Sequence, residues 1–169
     1  FEDSPISLWE EDFSAVKRHI EKLRRSGVTD FREFFESHPD VLLECVHEIK
    51  VLDVNAATLA LMRAAHKGQL IGNMEQVIPI DAGKDFVNEF VSLAEGQTEF
   101  EWEGINYTLD GEKLTVSLHW SAAPGFEDTL EKVLVSVIDV TAERKAEESI
   151  QNLNTTLEQR VEERTRELR

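Results

Sequence analysis

Cysteine occurs once in the 169 residues, at Cys45, so no internal disulfide framework holds this chain together. Positive charge is also scarce: 18 Lys and Arg stand against 34 Asp and Glu, for a formal net charge of -16. Nucleic-acid backbones and anionic membrane surfaces are bound through basic faces, so this balance argues against both as direct partners. No run of about 18 apolar residues is present, which leaves no membrane-spanning helix to expect in this segment. The first residues, "FEDSPISLWEED", are acidic where a signal peptide is basic and then apolar. A cytoplasmic location is the resulting expectation. The chain starts and stops abruptly without an initiator Met, so it reads as a piece of a longer parent, which has room for a membrane anchor elsewhere.

Chemical motifs are scarce as well. The eight glycines form neither GxxxxGK nor GxGxxG, so there is no phosphate cradle. The five histidines, His19, His38, His47, His66 and His119, show no zinc spacing, and no metal site is expected. Cys45 and His47 point to different faces of one helix. A nucleophilic Cys–His pair therefore needs a distant histidine such as His119, which leaves a small thiol enzyme as a remote alternative. Adjacent acids such as Glu10 and Glu11, or Glu147 and Glu148, are most simply solvated surface. No catalytic residue is assigned.

Hydrophobic content of 41% is that of a folded domain. The stretch "PISLWEED" (5–12) reads as an edge or half-buried strand. Phe13, Val16, Ile20 and Leu23 recur with helical spacing up to Gly27. Thr29 or Asp30 can cap a second helix through Phe34 and Phe35, and Pro39 opens a third with Leu42, Cys45, Val46 and Ile49 as its apolar stripe. Then "IKVLDV" reads as a strand running into Asn55, a good N-cap, and "AATLALM" as a short helix. A loop-rich stretch with Gly68, Gly72 and Gly83 follows. Phe86, Phe90, Val91 and Ala94 mark a helix stopped by Gly96.

Three strands close the domain. Phe100 and Trp102 alternate with Glu99, Glu101 and Glu103, and Leu114, Val116, Leu118 and Trp120 alternate with Thr115, Ser117, His119 and Ser121. The third, "EKVLVSVIDV", is apolar on both faces, as a central strand is. Residues 141–169 carry seven acids and six bases, so nearly all the negative charge lies before them. That step places a boundary near Val140, dividing residues 1–140 from a helix over 141–169.

This order resembles a PAS domain, and two segments carry the resemblance. One is "IKVLDVNAAT", similar to the second strand and first core helix of that family. The other is "VLVSVIDVTAERKAEESI", whose Asp139, Val140, Thr141 triplet matches the family's final strand and following charged helix. The fold class implied is α+β, a five-stranded antiparallel sheet with flanking helices, here with a helical insertion at about 13–48 and a long terminal helix. The resemblance assigns Asp139 and Thr141 to signal coupling, with ordinary capping as the plainer reading; Thr141 is placed as the helix N-cap. An inward set of Leu59, Met62, Phe86, Phe90, Trp102, Leu118 and Trp120 either fills a core or lines the pocket in which PAS domains bind small molecules. Flavin-type members need a cysteine in a Gly-Arg-Asn-Cys-like motif after the core helix, and Cys45 precedes that helix. Haem-type members place a histidine in the helix before the last three strands, and "KDFVNEFVSLAE" has none. Neither cofactor is expected, while a small apolar or amphipathic ligand fits.

The terminal "LNTTLEQRVEERTREL" resembles the signalling helices that join PAS domains to histidine kinase or diguanylate cyclase domains. Ile150, Leu153 and Leu157 follow a coiled-coil seam, but Val161 comes four residues later and Leu168 seven after that. The seam slips between two registers. The expectation is a homodimeric sensory module passing a signal along this helix to an effector in the same parent chain. A ligand-free dimerisation and protein-interaction module is the alternative.

Overall fold

The alternation read in residues 99–122 becomes the longest ladder of the fold. In the computed structural model, which describes residues 1–78 and 83–167, β3 (Glu99–Tyr107) pairs antiparallel with β4 (Lys113–Ala122), setting Trp102 opposite Leu118 and Phe100 opposite Trp120. β4 pairs with β5 (Val133–Asp139), β5 with β1 (Ser7–Asp12), and β1 with β2 (Lys50–Val54). The described residues thus form a five-stranded antiparallel sheet in the order β2-β1-β5-β4-β3. β5 is central, as its sequence implies. Its outer residue Ile138 is nevertheless exposed, so only the inner row Val133, Val135 and Val137 is fully buried. The segment "PISLWEED" is corrected from a possible edge: β1 pairs on both sides, and the edges are β2 and β3.

Three helices fill the insertion between β1 and β2: α1 (Ser14–Arg25), α2 (Phe31–Ser37) and α3 (Pro39–Glu48). The Asp30 side chain accepts from the Glu33 N–H and starts α2, and Pro39 sits in the first turn of α3. Helices α4 (Ala56–Leu61), α5 (Lys67–Ile71) and α6 (Met74–Val77) follow β2. The last two replace the loop expected around Gly68 and Gly72. They are single turns, too short to leave a clear periodicity, and the His66 imidazole caps α5 by accepting from the Gln69 N–H. α7 (Gly83–Ala94) crosses toward β3, and α8 (Thr141–Glu167) leaves the sheet after β5.

Asn55 is the hub that joins sheet to helices. Its Oδ1 accepts from Thr58 N–H, capping α4, and from Leu8 N–H of β1; its Nδ2 donates to Ile6 O at 2.8 Å. A buried amide with all these bonds fixes where α4 leaves the sheet. Trp9, Phe13, Val16, Phe35, Phe90 and Trp120 build the centre of the core, with Phe13 edge-on to Trp120 at 5.5 Å between ring centroids. No helix among the described residues is long and apolar enough to cross a membrane.

Candidate functional site

The core is incomplete beneath the sheet. A cavity of about 810 Å³ lies between the inner face of the sheet and α3, α6 and α7. That is the size range of pockets that hold small molecules. Trp102 and Asn106 of β3, Leu118 and Trp120 of β4, and Val135 of β5 form its floor; Leu42 and Val46 of α3 and Phe86 of α7 form its sides. Of the residues expected there, Phe86, Trp102, Leu118 and Trp120 line it. Leu59, Met62 and Phe90 do not: Leu59 is half-buried on α4, Met62 is buried at its end, and Phe90 packs between the rings of Phe35 and Phe86.

Polar groups missed by sequence reasoning interrupt this apolar lining. Glu11 continues the inward row of Ser7 and Trp9 on β1, just past a register shift between Glu10 and Glu11 against β2. The pair read as solvated surface is therefore split: Glu10 reaches outward to Lys132 at 2.9 Å, whereas Glu11 faces the cavity. Glu89 of α7, only 4% exposed, faces it as well. Burial lifts the Glu11 carboxyl from 4.5 to about 7. Burial, then the nearby Glu11 charge, lifts Glu89 from 4.5 to about 8, and the Trp120 indole N–H beside it offsets part of that rise. Neither carboxylate has an ion-pair partner among the described residues. The indole Nε1 atoms of Trp102 and Trp120 are buried and have no partner in hydrogen-bond geometry. Gly104 makes room for the Trp102 ring: a Cβ there would sit 1.5 Å from Trp102 Cζ3.

The same strands also hold the base of α8. Asp139 Oδ1 accepts from the Thr141 N–H at 2.9 Å, so Asp139 supplies the cap. Thr141 is corrected from N-cap to first helical residue, because its hydroxyl is taken by β4: Oγ1 accepts from the Thr115 N–H at 2.8 Å. Arg144, one turn further, donates to Glu103 of β3 at 2.8 Å and to Glu147 at 2.6 Å. Beyond this base Ile150, Leu153, Leu157 and Val161 stand 49–66% exposed, and Leu168 lies outside the described residues.

Cys45 lies away from the cavity. The histidine beside it is His19 of α1 and not His119, which stands exposed on β4. His19 Nδ1, the Cys45 sulfur and a Glu48 oxygen lie within 4.8 Å of one another, three donor types that can bind a metal, brought together without any local sequence spacing. Burial, followed by the charges of Glu48 and Glu44, pushes the thiol up to about 12. An activated cysteine has its thiol pulled down, so this environment is the opposite of what a nucleophile needs.

No family model matches this chain, and no curated protein matches it. Solved structures do. The LOV protein of Rhodobacter sphaeroides superposes with a TM-score of 0.57 at 16% identity, covering 89% of this chain and 68% of that one. An RNA-binding light-oxygen-voltage receptor superposes with a TM-score of 0.57 at 13% identity, covering 94% of this chain and 36% of that one. The PAS domain of a LuxR-family transcriptional regulator from Burkholderia thailandensis, in complex with ethanol, gives a TM-score of 0.50 at 13% identity, covering 83% of this chain and 93% of that one. The strand order β2-β1-β5-β4-β3, the helices gathered over its inner face and these superpositions together show that this chain has the PAS fold.

Proposed function

We propose that this chain is a cytoplasmic sensory module that binds a small molecule beneath its sheet and passes the event through α8, in a homodimer, to an effector of the same parent protein. One observation carries the reading: β3 and β4 wall the cavity with their inner faces and also hold the base of α8, β3 through the outward side chain of Glu103 and β4 through the backbone of Thr115. Trp102 lines the cavity while its neighbour Glu103 holds Arg144, and Leu118 lines it while the backbone N–H of Thr115, on the same strand, donates to Thr141 Oγ1. In a strand, adjacent side chains point to opposite faces, so a ligand that shifts the inner row moves the outer row with it. The ligand shifts populations only by the difference in its affinity for the two arrangements.

The exposed apolar stripe of α8 supports a helical dimer, and its resemblance to signalling helices supports a histidine kinase or diguanylate cyclase as the effector. A dimerisation module without a ligand shares that stripe, but it leaves the cavity unexplained. A flavin fits the cavity poorly. Cys45 lies outside it, and among the described residues its walls carry three acids, a single exposed lysine and no arginine to meet a phosphate. His47, the histidine on the walls, is exposed on α3 and gives no buried axial ligand for haem.

Native mass spectrometry of the protein from its own host tests the reading, since it reports subunit count and bound small molecules together. A dimer carrying a small-molecule adduct is expected. Ligand-free dimers that no small molecule stabilises favour the interaction module, and monomers overturn the dimeric readings. In the parent protein, one residue inserted after Thr156 is expected to lock or abolish regulated output. Unchanged regulation overturns transmission through helix register.

A further inference from the structure

We propose that the ligand of this cavity is an organic cation, a protonated primary or secondary amine on an apolar or aromatic frame, held between Glu11 and Glu89. The inference rests on the small-molecule reading above and names the chemical class of the ligand. Glu89 is 4% exposed and Glu11 half-buried, and both face one apolar space with no ion-pair partner among the described residues. Two carboxylates sharing a site repel each other, and a cation set between them relieves both. A lone pair of acids would not make a site, but the fully buried Trp120 sets its indole N–H, which has no partner in hydrogen-bond geometry, beside the Glu89 carboxyl. An ionised Glu89, neutralised by the cation, is the better acceptor for that N–H, so one binding event satisfies both groups.

The walls suit the rest of such a ligand. The rings of Trp102, Trp120 and Phe86 offer flat apolar faces, which attract both an aromatic frame and the positive charge on it. Anionic ligands meet two carboxyls inside and a net charge of -16 outside, a field that repels them and concentrates cations.

Among the described residues, the remaining titratable groups on the walls are His47 of α3, Lys50 of β2 and Glu75 of α6. Without a cation, the two carboxyls hold protons well above the ordinary carboxylate range. Binding the ammonium ionises one of the two carboxyls, so one cation enters and one proton leaves to solvent, with charge conserved at the site. Affinity for an amine that stays protonated throughout therefore rises with pH between about 6 and 8.

The test titrates the full chain in a calorimeter with three matched probes: tryptamine, tryptophol and indole-3-acetate, which share one ring and differ in charge. Tryptamine is expected to bind at least about tenfold tighter than tryptophol, a difference of about 1.4 kcal/mol, with indole-3-acetate weakest. Its apparent enthalpy is expected to change with the ionisation heat of the buffer, the sign of proton release. Glu11→Gln and Glu89→Gln are each expected to bring tryptamine and tryptophol together. Tryptophol or indole-3-acetate binding as tightly as tryptamine overturns the cation and leaves the ligand-binding reading standing. Binding of none of the three, together with ligand-free protein from the host, overturns both. The wild-type comparison needs no variant to fold.

Discussion

The buried Glu89 carboxyl makes this fold less stable as pH rises, against the usual behaviour of an acidic protein whose carboxylates are paired. The sign follows from proton binding. Its affinity for a proton rises from the unfolded value of 4.5 to about 8 in the fold, so between those values the folded state holds more protons than the unfolded chain. Stability is unaffected by this group below about pH 4.5, falls through the window, and reaches its floor above about pH 8. At about 1.4 kcal/mol for each pH unit, the full window from 4.5 to about 8 is a ceiling of roughly 5 kcal/mol. Water entering the cavity lowers this, and part of it belongs to repulsion from Glu11, so the contributions of the two acids do not add.

Glu89→Gln keeps the shape and deletes the titration. Thermal melts followed by circular dichroism between pH 5 and pH 8.5 are expected to show the variant and the wild type close together at the acid end. At the alkaline end the variant is expected to be more stable by about 2 kcal/mol or more, which in a domain of this size is a midpoint higher by about 4–8 °C. Because the other acids titrate alike in both proteins, the difference between the curves isolates Glu89. Parallel curves at all pH values would refute the burial of this carboxyl in the cavity wall.

Gly104→Ala drives a Cβ into the Trp102 ring 1.5 Å away, so the indole must leave the cavity wall. A loss of about 1–3 kcal/mol in urea unfolding and a shifted tryptophan emission are expected; unchanged emission contradicts the packing described. Asn55→Ala removes the cap of α4 and strands the Leu8 N–H and Ile6 O partners, with an expected cost of about 3 kcal/mol by the same measurement. Cys45, buried and with its thiol pushed up to about 12, is expected to react with Ellman's reagent only after the chain unfolds. Rapid native labelling would reopen the thiol-enzyme alternative. Thr141→Val keeps the shape of the side chain and loses its oxygen, leaving the Thr115 N–H without its acceptor. Faster hydrogen exchange at Thr115 and in the first turn of α8 is expected, with the global midpoint little changed.

What could be read from the sequence was what local chemistry decides. The alternation of β3 and β4, the Asn55 cap and the Asp139–Thr141 junction each lie within a few residues, and the structure has them as strands, cap and helix start. The acid pair could not be read that way. Glu11 and Glu89 are far apart in the chain, two among 34 acids, and only the fold brings both to the cavity. The register shift after Glu10 is a pairing feature, decided by β2 and not by the residues of β1. The same limit hid His19 beside Cys45, and the hydroxyl of Thr141, whose partner is a strand 26 positions away.

In the proposed reading, the junction at the base of α8 bounds how strong an output through that helix can be. Three hydrogen bonds close the junction, from Thr115 N–H to Thr141 Oγ1, from Val140 N–H to Thr115 O and from Thr141 N–H to Asp139 Oδ1, each worth about 1 kcal/mol net. The Arg144 contacts to Glu103 and Glu147 are exposed, so salt screens them and they add less than their short distances suggest. The grip of these bonds on the helix is therefore about 3 kcal/mol, at the upper end of the roughly 1–3 kcal/mol range of couplings between sites. Such a grip can tilt a helix between arrangements of similar energy, and it cannot force one that is well packed in a single register. The apolar spacing of α8 supplies the complement: after Leu157 the seam breaks its heptad at Val161, and no single register satisfies the whole stripe. A weak junction and an undecided seam make sense together, because a small free-energy input redistributes states only where the states are already close.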